Sequence, residues 1–63
     1  MEDDRQEIQA RLSHLENIRI LLEEARVHAR NMDSPEGDHI EGQIRTTLGD
    51  TNRQIHDLRA SLP

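Results

Sequence analysis

Histidines are the residues of this chain that could most readily hold a metal ion. The sequence contains four of them: His14, His28, His39 and His56. Two histidines on one face of a helix bind zinc when they are four residues apart, but no two of these are closer than eleven positions. The spacing therefore predicts no helical zinc pair.

The densest group of other metal-binding side chains surrounds His39. Glu36, Asp38 and Glu41 all lie within three residues of it. Carboxylates in the first turn of a helix are also stabilised by the positive end of the helix dipole, which explains this group without a metal. We prefer that interpretation and predict no metal-ligating residues.

Nucleophilic catalysis finds equally little support. The chain has no Cys, and Ser13, Ser34 and Ser61 lie in polar or terminal segments without a recognisable His–acid relay. No glycine-rich phosphate loop is present. We therefore predict no catalytic residues, no cofactor and no enzymatic activity.

The local sequence predicts two helices joined by a short turn. Ser34 is a favourable N-cap and Pro35 suits the first helical position, where its missing N–H costs nothing. Apolar residues recur at intervals of three and four on both sides of this break, which is typical of amphipathic helices. We predict an all-α antiparallel hairpin, with helices at about 4–31 and 35–61, in a single domain over residues 1–63. Gly49 could break the second helix, but the apolar pattern continues through it.

The helices are predicted to meet along a seam of heptad positions a and d. Position a is assigned to Ile8 in the first helix and to Leu48 in the second. The predicted seam residues are Ile8, Leu15, Ile18 and Leu22 in the first helix, and Ile44, Leu48, Ile55 and Leu58 in the second.

A hairpin of this size is expected to need further association. The chain has 63 residues, of which 32% are hydrophobic and none is aromatic. The core of a chain below about 70–80 residues rarely supplies more than a few kcal/mol of stability, so such chains usually need a disulfide, a metal ion or oligomerisation. We therefore predict a homodimeric four-helix bundle, or packing on a helix of a partner protein.

The predicted partner interface lies on the first helix. Ile20 and Val27 occupy position f, away from the seam, and widen the apolar stripe beside Leu21. Arg19 and Arg26 occupy the e flank, which also bears arginines in the second helix. Because opposed arginines repel, the hairpin is predicted to close along its nearly neutral g flanks, with the arginine row outward. That row could bind an acidic partner or be neutralised by glutamates in its own helix.

Charge and hydropathy narrow the choice of partner. The net charge of −5 disfavours nucleic acid and anionic membranes. The longest apolar run, residues 20–22, is far shorter than the roughly 20 residues that span a bilayer. Residues 1–4 lack a basic signal-peptide region, so a cytoplasmic location is predicted.

The leading functional hypothesis is a non-enzymatic protein–protein interaction module of the adaptor, chaperone or inhibitor kind. Such a module oligomerises or binds a helical segment of another protein. The alternatives are a passive structural or dimerisation element of a larger assembly, and a small nucleic-acid-associated regulator.

Overall fold

Two long helices make up nearly all of the chain. The computed structural model describes residues 2–62, with side chains from residue 4 onward. Helix α1 covers Glu2–Asn31 and helix α2 covers Pro35–Ala60, and the two pack as a hairpin with extents of 50 × 14 × 11 Å. The predicted all-α hairpin is confirmed. Helix α1 begins two residues earlier than predicted, and α2 ends one residue earlier.

The turn between the helices follows the predicted chemistry. Ser34 has extended backbone angles, and its Oγ accepts a hydrogen bond from the backbone N–H of Gly37 at 3.1 Å. Pro35 is the first residue of α2, where no intrahelical donor is needed. Asp33 has a φ of 49°, a left-handed conformation that Asp tolerates better than most residues, and it reverses the chain. The cap and the left-handed residue together set the angle at which α2 returns along α1.

Helix α2 runs without a break through Gly49. Its threonines satisfy their own hydroxyls by donating to the carbonyl four residues earlier. The buried Thr51 donates to the Thr47 carbonyl at 2.8 Å, and Thr47 donates to the Gln43 carbonyl at 3.1 Å. A polar residue is therefore accommodated in the seam without an unpaired donor.

The core is narrow and lies along the contact between the helices. Its most buried apolar side chains are Leu12 and Ala29 of α1 and Leu48 and Ile55 of α2. Ile55 retains 3% of its exposure and Leu12 8%, and no large side chain among residues 4–62 is fully buried. The described hairpin therefore covers only one side of each helix.

The seam of α1 differs from the predicted one. Ile18, predicted as a seam residue, is 44% exposed, whereas Leu12 at position e is buried. Helix α1 therefore faces α2 with its a and e positions, while α2 uses its a and d positions as predicted. Ile8, Leu15, Leu22, Ile44 and Leu58 are half-buried, and Leu48 and Ile55 are buried. The facing residues are Ile8, Leu12, Leu15, Arg19, Leu22, Arg26 and Ala29 in α1, and Gly37, Glu41, Ile44, Leu48, Thr51, Ile55 and Leu58 in α2, followed by Leu62 just after that helix.

Candidate interaction surface

Ion pairs between the helices lie along one side of the hairpin, which we call the closed side. Arg59 Nη2 donates to Glu16 Oε1 at 3.1 Å, and Arg30 Nε donates to Glu41 Oε2 at 3.0 Å. Arg45 Nη2 adds a second bond to Glu41 at 2.9 Å. Exposed pairs of this kind each contribute about 0–1 kcal/mol, so they favour this side without driving the folding.

The predicted direction of closure was wrong. Arg19 and Arg26 do not form an outward row, because both are half-buried against α2. Repulsion between the arginine rows is avoided because each helix offers a carboxylate to an arginine of the other. Glu16 of α1 accepts a hydrogen bond from Arg59, and Glu41 of α2 accepts one from Arg30. Arg19 and Arg26 are therefore seam residues, not the exposed partner contacts that the sequence suggested.

The carboxylate of Glu41 is the electrostatic centre of the closed side. Hydrogen bonds from Arg45 and then from Arg30 lower the pKa of Glu41 below its ordinary value. A lowered pKa means that the folded chain favours the ionised carboxylate. The contribution of Glu41 to the stability of the fold is therefore present above the ordinary pKa of 4.5, and it is lost as the pH falls through the lower pKa of the folded state.

Arg26 leaves a donor unpaired inside the seam. Its Nε atom is buried, and the described residues provide no acceptor for it. A buried donor without a partner costs about 1–3 kcal/mol. We expect Arg26→Met, which retains an unbranched side chain, to raise the free energy of unfolding by about 1 kcal/mol. Denaturant unfolding at fixed protein concentration measures it, and a loss of stability would mean that the guanidinium is paired in solution.

The opposite long side of the hairpin, which we call the open face, consists of the d and g positions of α1 and the g positions of α2. Four of the six exposed large hydrophobic residues lie there: Ile18 and Leu21 in α1, Met32 directly after α1, and Ile40 in α2. Leu21 is the most exposed of them, at 63%. No residue of the described hairpin covers this apolar surface.

The open face is also nearly free of charge. Charged residues make up 33% of the chain, yet after residue 11 the d and g positions of α1 and the g positions of α2 contain no Asp, Glu or Arg. The charged residues of these rows lie together at the start of α1: Asp4, Glu7 and Arg11, of which Arg11 pairs with Glu7 at 2.9 Å. This absence is the sequence signal that could have revealed the face, because it affects both helices at once. The remaining residues of the open face are all exposed: His14, Ile18, Leu21, Ala25, His28 and Met32 along the d and g rows of α1, and Ile40, Thr47, Gln54 and Ser61 along the g row of α2.

A groove runs along part of the open face. Its volume is about 420 Å³, and it is open to solvent along its length. Leu15, Ile18 and Leu58 form its apolar floor. A solvent-open apolar groove suits the side chains of another helix better than an enclosed reaction. The polar residues at its edge are Arg11, His14, Gln54 and Asp57.

Comparisons with protein-family models, with curated proteins and with solved structures found no match to this chain. Among the described side chains, no three His, Cys, Asp or Glu residues are placed to hold a metal ion. Neither described helix is long and apolar enough to cross a membrane. The apolar open face, with charged residues at one end only, is the surface feature that distinguishes this hairpin.

Ile20 and Val27 lie apart from the open face. Successive helical residues are about 100° apart, which places Ile20 on the far side of α1 from the open face although it adjoins Leu21. Both remain about half exposed, at 53% and 54%. The predicted interface is thus divided: Leu21 lies on the open face, Ile20 and Val27 lie outside it, and Arg19 and Arg26 are in the seam.

Proposed function

We propose that the protein is a non-enzymatic protein–protein interaction module of the adaptor, chaperone or inhibitor kind, and that the open face is its binding surface. The observation that supports this proposal is the coincidence of exposed apolar side chains with a nearly complete absence of charge. Monomeric soluble proteins seldom leave such a surface uncovered. The partner that fits this surface best is one or more helices that lie along the groove and complete a three-helix or four-helix bundle.

Thiol protection provides the test, because the chain has no Cys and an introduced one is unique. Leu21→Cys reports on the open face. Ile20→Cys is the matched control, since it replaces a neighbouring exposed aliphatic residue on the other side of α1. We expect the thiol at position 21 to react at least about tenfold more slowly than that at position 20, because a covered thiol reacts only when its cover opens.

The measurement is made twice for each variant, once in extract from the cells that produce the protein and once after purification. Unfolding in urea gives the reference rate for each thiol. Equal reactivity at the two positions in both preparations would show that nothing covers the open face, and the proposed function would then be wrong.

A further inference from the structure

We infer that the occupant of the open face is a second copy of this chain, so that two hairpins pack face to face as a four-helix bundle. This inference rests on the proposed function, because it names the partner of the same surface. The inference goes beyond the proposed function because no different protein is then needed to cover the open face.

The exposed area is the first argument. The chain exposes 4978 Å². A compact monomer of this mass is expected to expose about 4,200 Å². The excess of about 800 Å² equals the area that each partner buries in a typical stable interface. One further copy is therefore enough to bring the exposed area of each chain to the normal value.

Self-complementarity is the second argument. In a two-fold symmetric dimer the same patch must bind itself, so a charged patch would oppose like charges. The open face largely avoids this problem, since its charged residues, Asp4, Glu7 and Arg11, are confined to one end, where Arg11 pairs with Glu7 of its own helix. Its polar side chains, such as Thr47, Gln54 and Ser61, carry groups that both donate and accept hydrogen bonds. Such groups can pair with copies of themselves.

The distribution of charge on the rest of the molecule supports the same occupant. Apart from Asp4, Glu7 and Arg11 at one end, the charged residues lie outside the open face, on the closed side and on the outer surfaces. Two copies can therefore approach through largely uncharged faces while most of their like charges stay apart and exposed to screening by salt. A partner recognised by opposite charge would find charged groups on this face only at the end that holds Asp4, Glu7 and Arg11.

Sedimentation equilibrium of the full chain tests the inference. We expect a reversible dimer at micromolar concentration. Leu21→Glu should weaken self-association at least about tenfold, because an apolar contact is lost and two carboxylates enter the interface. Ile20→Glu is the matched control with the same change in charge, and it should leave the dimer unchanged. Circular dichroism of each variant shows whether helical structure is lost when the dimer dissociates.

The outcomes separate the two proposals. One outcome would be a wild-type protein that stays a helical monomer at every concentration, while the thiol of the Leu21→Cys variant is protected in cell extract alone. That outcome would overturn the inference that a second copy covers the open face, but it would support the proposed interaction with another protein. Dissociation by Ile20→Glu but not by Leu21→Glu would move the interface to the Ile20 and Val27 side and overturn the inference. Leu21→Met, which nearly conserves volume, should retain the dimer even if Leu21→Glu unfolds.

Discussion

Gly37→Ala should destabilise the hairpin by about 3 kcal/mol or more, because the added methyl group has no space. Gly37 is buried in the first turn of α2, against the last turn of α1. A Cβ atom there would overlap the carbonyl oxygen of Ala29 and lie 2.8 Å from Cβ of Met32. The first of these neighbours is backbone and cannot move without displacing one helix from the other. Denaturant unfolding of the variant at fixed concentration measures the loss.

Gly42 and Gly49 are the matched controls for this substitution. Neither has any atom within 4 Å of an added Cβ apart from its own helix and chain neighbours. Replacement of either by Ala should stabilise α2 by about 0.5–1 kcal/mol, because Ala loses less backbone entropy on entering a helix. If Gly42→Ala or Gly49→Ala also destabilises strongly, a second chain must approach α2 at that position. A neutral Gly37→Ala would mean that the helices are farther apart at the turn than the structure shows.

Ile55→Ala should cost about 2–5 kcal/mol, the range for loss of a buried aliphatic side chain. Ile55 is the most buried large residue of α2, with 3% of its surface exposed, and it faces α1 within the narrow core. Since the core has few other buried side chains, little can collapse into the cavity. Thermal and denaturant melts at one fixed concentration give the change in stability.

Val27→Ala is the control for the loss of aliphatic carbon, since Val27 is 54% exposed on the outer side of α1. It should change stability by no more than about 0.5 kcal/mol. Leu15 and Leu22 are half-buried in the hairpin, and Leu15 lines the open groove. Their replacement by Ala should therefore cost less than that of Ile55 in the monomer. If the cost for Leu15→Ala rises to that for Ile55→Ala as the dimer forms, the second copy covers the groove.

Most of the fold could be predicted from local features of the sequence. Ser34 and Pro35 specify where α2 begins, because a side-chain cap and a missing N–H act within one turn. The recurrence of apolar residues at three and four positions specifies two amphipathic helices, since this spacing matches 3.6 residues per turn. The short turn between them leaves the antiparallel hairpin as the natural arrangement. The scarcity of charge on the g flanks was also visible in the sequence, although these flanks were interpreted as the side along which the hairpin closes.

Which flank of α1 packs on α2 was decided by the tertiary structure. Spacings of three and four are equally compatible with a seam at positions a and d, through Ile18, and at positions a and e, through Leu12. Arginines at position e argued against the second choice when only their own row was considered. Long arginine side chains, however, reach carboxylates on neighbouring rows. Across the closed side, Arg30 pairs with Glu41 and Arg59 pairs with Glu16. Closure on that side leaves the d and g residues of α1 and the g residues of α2 exposed, so the surface on which the proposed function depends exists only once the helices have packed.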